Sequence, residues 1–74
     1  MTERAHRDDL HVGTVVSFDA AVGLGEVQSV DGQRFTFHCI EIADGSRAIE
    51  VGTAVTFGLL AKLGRHEAAR ITRT

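Results

Sequence analysis

His38 and Cys39 stand side by side, an imidazole next to a thiol, the pairing that a nucleophilic cysteine needs from a general base. No third group that would orient the imidazole is evident. The bland reading is a strand-end histidine beside a small apolar side chain. His6, His11, His38, Cys39 and His66 are able to ligate zinc, yet no pair has the short spacing of the usual zinc signatures. Gly23-Leu24-Gly25 lacks the third glycine or the Gly-Lys-Ser of a phosphate-cradling loop, so it reads as a tight turn between strands. Lys62, Arg65, Arg70 and Arg73 offer a phosphate track near the C-terminus, although such a run also makes a plain solvated edge. No acid, base and nucleophile converge. The expectation is a binding protein, not an enzyme, with no cofactor and no metal.

Charge is unevenly placed. The 74 residues carry a formal net charge of -2. Residues 1–11 contribute -1, residues 12–61 contribute -4, and residues 62–74 contribute +3, so the basic character sits at the C-terminus. A chain this short builds one core and buries only about 60% of its unfolded surface. Hydrophobic residues at 43% and charged residues at 24% are ordinary globular values, which argues against disorder. With one cysteine no intrachain disulfide forms. The start MTERAHRDDL is charged where a signal peptide needs an apolar stretch, and no apolar run is long enough to span a bilayer. These features predict a cytoplasmic protein without membrane attachment.

The elements that position these groups are strands. Residues 1–10 show no apolar period and are expected to be a loosely held tail, with the domain running over residues 11–74. Val and Phe enrichment over His11 to Asp19, and alternation over Glu26 to Val30 and Arg34 to Cys39, predict three strands. Asp31-Gly32 supplies the positive φ of a tight hairpin, so the second and third strands should pair antiparallel. Ala54 to Leu60 and Glu67 to Thr72 predict two more strands, joined by a turn at Leu63-Gly64-Arg65-His66. The stretch from Ile40 to Thr53 shows no helical stripe and should be an irregular crossing with at most one helical turn. Five strands in a single small core predict an all-β barrel, with an SH3-like barrel as the competing fold.

Gly13-Thr14-Val15-Val16-Ser17-Phe18-Asp19-Ala20, Val22-Gly23-Leu24-Gly25-Glu26-Val27 and Phe35-Thr36-Phe37-His38 together resemble the bacterial cold-shock domain. That family reads roughly G-x-V-K-W-F-N, K-G-F-G-F-I and V-F-V-H-F in its first three strands. Ile42 through Gly45, Glu50-Val51-Gly52, Val55-Thr56-Phe57 and Glu67-Ala68-Ala69-Arg70-Ile71-Thr72 fall where the family has its long loop and last two strands. The resemblance covers about sixty residues. It implies a five-stranded antiparallel OB-fold barrel that binds single-stranded DNA or RNA by stacking bases on exposed rings, with nearby lysines meeting phosphates.

Position by position, the motifs have diverged. Ser17 stands where the family has Trp, Leu24 and Glu26 where it has two Phe, Thr36 where it has the outward Phe, and Cys39 where it has another Phe. His38 is retained. Val16 and Val22 replace lysines. Alternation puts Phe35 and Phe37 on the opposite face from Thr36 and His38, which predicts that they pack into the core. Losing several rings, each worth about 1 kcal/mol or more, would erase micromolar binding. Glu26 would repel phosphate as well.

The candidate nucleic-acid-binding residues are therefore His38, Arg34, Ser17, Leu24, Glu26, Thr36, Cys39, Lys62 and Arg65. Two functions follow. One is weak, salt-sensitive binding of single-stranded RNA or DNA. The other is a diverged interaction module in which the same face meets a protein partner or builds a homodimer, helped by apolar side chains such as Leu24 and Leu60.

Overall fold

Alternating Val, Phe and Gly positions give each strand one side that can be buried, and the chain folds as that pattern dictates. The computed structural model describes residues 10–62 and 64–74, Lys62 through its backbone alone. The loose tail expected over residues 1–10, His6 included, lies outside the described residues except for Leu10.

The strands are β1 (His11–Asp19), β2 (Leu24–Ser29), β3 (Arg34–His38), β4 (Ala54–Lys62) and β5 (Arg65–Arg73). They form one sheet in the order β3-β2-β1-β4-β5, with every neighbouring pair antiparallel. Of the five strands only β1 keeps its expected bounds. β2 begins at Leu24 because the Leu24–His38 pair already belongs to its ladder. The third strand stops at His38, and Cys39–Glu41 winds into a single 3-10 turn. The last hairpin is tighter than expected, since Arg65 and His66 pair with Lys62 and Ala61 and so belong to β5.

The expected barrel does not close. β3 and β5 are the two sheet edges, and no ladder joins them among the described residues. The chain after β3 takes the available partners on β5 instead. Ile42 bridges Ile71 in parallel, and the Ala43 N–H donates to the Ile71 carbonyl at 2.8 Å. The Arg70 N–H donates to Glu41 Oε1 at 3.1 Å. A side chain and a crossing segment thus complete the edge that a strand-to-strand ladder would have covered.

Inside the curl, Val15, Val27, Phe37, Val55, Phe57 and Ile71 are fully buried, and Ile42 and Ile49 of the long connection plug one side. Phe18, Phe35, Cys39 and Leu59 pack against this cluster from its margin. His11 joins the aromatic group: its ring stacks on Phe57 with centroids 5.5 Å apart. β1 is paired with β4 through His11 to Thr14, opposite Phe57 to Ala54, so the rest of β4 runs with β5 past the start of β1. No helix among the described residues is long and apolar enough to cross a membrane.

Candidate nucleic-acid interface

Because β2 and β3 pair in register, residues of matched parity share the outer surface. Leu24 lies opposite His38, Glu26 opposite Thr36, and Gln28 opposite Arg34. β1 extends all three rows, with Asp19 opposite Leu24, Ser17 opposite Glu26 and Thr14 opposite Gln28. A bulge makes this possible. Val15 pairs with Val27 and Ser17 with Glu26, so Val16 is the extra residue on β1. The result is one outward patch: a row Asp19–Leu24–His38, a row Ser17–Glu26–Thr36 and a row Thr14–Gln28–Arg34. Successive rows are about 7 Å apart along the strands.

The turns that frame the patch have local causes. At the β1–β2 turn, the Gly23 N–H donates to the Asp19 carbonyl at 2.8 Å, and Gly23 adopts φ 74, a conformation that favours glycine. The β2–β3 turn closes when the Ser29 N–H donates to the Gln33 carbonyl at 2.8 Å. Asp31 organises that turn by accepting from the Ser29 hydroxyl, the Gln33 N–H and the Gln33 side-chain amide. These donors, led by Ser29, hold the Asp31 carboxyl below the usual carboxylate range.

The chemistry of the patch is polar. Ser17 and His38 are exposed, Thr36 and Glu26 are half-buried, and Leu24 is the apolar member of its row. None of the four Phe rings is exposed: Phe37 and Phe57 are fully buried, while Phe18 and Phe35 are half-buried against the core. The inward placement expected for Phe35 and Phe37 is the one observed, and no stacking platform remains on this surface. Arg34 is already engaged. Its Nε–H donates to Gln28 Oε1 at 3.0 Å, and its Nη1 lies 3.9 Å from Glu26 Oε1. Sequence reasoning passed over Gln28 and Asp19. Their signal was parity, since Gln28 follows Leu24 and Glu26 at a spacing of two.

Other candidates lie elsewhere. Cys39 turns away from the patch to pack against the core, and a Cβ placed on Gly23 would fall 3.0 Å from its Sγ. Lys62 and Arg65 sit at the β4–β5 turn, beyond the start of β1, whereas His38 belongs to the row at the far end of β1 beside Asp19. The side chain of Lys62 is outside the described atoms. Arg65 pairs with Glu67 at 3.1 Å, and Arg73 pairs with Asp44 and donates to the Ala48 carbonyl. The phosphate track expected along the last hairpin is therefore partly neutralised. Among the described residues no group of three or more His, Cys, Asp or Glu side chains could hold a metal ion.

A scan of protein-family models and a search of curated proteins give no match to this chain. Among solved structures, the Drosophila protein "drosophila Unr CSD456" matches with a TM-score of 0.76 and 28% identity, over 97% of this chain and 31% of that one. The chain thus spans about a third of the length of that structure. The five antiparallel strands, their order and this superposition together give the chain a cold-shock-like fold, a type of fold associated with nucleic-acid binding.

Proposed function

We propose that this chain is a small cytoplasmic binding protein, derived from the bacterial cold-shock type, that engages single-stranded RNA or DNA weakly on the outer surface of β1, β2 and β3. The supporting observation is continuity. Ser17, Leu24, Glu26, Thr36, His38 and Arg34 occupy one patch of three strands in a cold-shock-like fold. Contact comes from hydrogen bonds, from His38 and from Arg34, with no exposed Phe ring to stack a base. Affinity is accordingly low and falls with added salt, because cations meeting phosphates release counterions. The activity is binding, without a catalytic step.

A second reading has its own support. With no exposed Phe, and with Asp19 and Glu26 on the patch against a single Arg34, a protein partner or a second copy of the chain would meet less repulsion there than a polyanion. One experiment separates the two. A short oligothymidine or oligouridine is titrated into isotopically labelled protein at low and then at higher salt, with a sizing measurement on the same sample. Shifts confined to His38 and its cross-strand neighbours support the nucleic-acid reading. A silent spectrum with a dimer in the sizing run replaces it with the second.

A further inference from the structure

We infer that the patch reads guanine, through the Glu26–Arg34 pair, in preference to the uracil or thymine that a purely stacking surface would accept; this rests on the nucleic-acid reading above. Glu26 is the central residue of its row, between the hydroxyls of Ser17 and Thr36. Its side chain is 43% exposed, and among the described residues its carboxylate accepts no hydrogen bond, the nearest cation being Arg34 at 3.9 Å. Arg34 is held in place by Gln28, which accepts from its Nε–H and leaves Nη1 on the Glu26 side, 3.9 Å from the carboxylate.

An exposed base edge meeting this pair finds a guanidinium donor beside a carboxylate with two acceptor oxygens. Guanine presents the complement: its O6 accepts, while its N1–H and N2 amine donate in parallel to one carboxylate. Cytosine and adenine each offer one amine donor beside an acceptor nitrogen, which a carboxylate repels. Uracil and thymine place two carbonyl oxygens around a single N–H, so both flank the carboxylate with like partial charge. Single-stranded bases are read on such edges because nothing else occupies them. The next row supplies a seat for the neighbouring base, with Leu24 (36% exposed) beneath it and His38 opposite. The carboxylate that opposes phosphate binding thereby becomes the group that selects a base.

The test compares three heptanucleotides at low salt on the whole chain: oligouridine, the same strand with a central guanosine, and the same strand with a central inosine. Inosine stacks like guanosine and keeps N1–H but lacks the N2 amine. The guanosine strand is expected to bind about tenfold more tightly than oligouridine, the discrimination of one good bidentate contact, with inosine between them. Glu26→Gln is expected to erase that preference and to tighten oligouridine binding, since it removes a charge while keeping shape. Amide spectra of the variant check that the fold persists. Equal binding of guanosine and uridine strands overturns this inference and leaves the proposed function standing. An absence of binding by all three strands overturns both.

Discussion

Gly25 of β2 lies directly opposite Phe37 of β3, and the absent side chain is what lets that ring enter the core. A Cβ on Gly25 would fall 2.7 Å from Phe37 Cζ, 2.7 Å from the Ser17 carbonyl oxygen and 2.8 Å from Phe18 Cδ1. Phe18 and Phe37 stack with centroids 6.0 Å apart, so one added methyl group disturbs both rings and the backbone of β1. Gly25→Ala is expected to destabilise the fold by about 1–3 kcal/mol, the usual range for overpacking. Urea denaturation followed by fluorescence-free circular dichroism measures it. An unchanged midpoint would mean that this contact has room to relax.

Arg70 adopts φ 56, the one positive φ among described residues other than glycine. It sits where the β4–β5 register slips between Thr56 and Gly58, so the bulge demands a left-handed residue. An L side chain pays roughly 1–2 kcal/mol there, and glycine avoids that cost but loses more chain entropy. Arg70→Gly is expected to stabilise the fold by about 1 kcal/mol and raise the melting temperature by several degrees. Arg70→Ala keeps the backbone penalty and serves as the control, with no such gain.

The Asp31 carboxyl is held below its ordinary value of 3.8 by the Ser29 hydroxyl and by Gln33. A depressed folded pKa contributes stability that is present above the unfolded pKa and lost as pH falls through the folded one. Asp31→Ala should therefore lower the melting temperature near neutral pH. At acid pH below the folded pKa, the variant and the parent chain should converge. Melting curves at pH 7 and at strongly acid pH give the comparison, and a gap that persists in acid would assign the role of Asp31 to something other than its charge.

Thr36 is the position on β3 where the resembling family carries an outward ring, and it faces Glu26 across the ladder. Thr36→Phe restores one stacking surface, worth about 1–3 kcal/mol per base. Affinity for oligothymidine at low salt is expected to rise about tenfold or more. Raising the salt should weaken both proteins, because the phosphate contacts are unaltered. Fluorescence anisotropy with a labelled strand measures both effects. A variant that binds no better would place the nucleic acid somewhere other than this surface.

Alternation alone was enough to separate the two sides of β2 and β3, whereas the bulge at Val16 reverses the parity within β1. The period of two sends Phe35 and Phe37 inward and Leu24, Glu26, Thr36 and His38 outward, and glycines at fixed spacings mark the turns. Such information is local, and a sequence carries it directly. Non-local facts were decided by the tertiary structure. Arg34 meets Gln28 and Glu26 only once the hairpin register is set, and Cys39 turns inward only because β3 ends at His38. Whether β3 reaches β5 likewise depends on where the crossing segment lies, and here Glu41, Ile42 and Ala43 take hydrogen bonds on β5 that a closing strand would need. Side-chain direction follows from chain geometry over two residues, whereas pairing across the sheet depends on how distant segments share a limited set of partners.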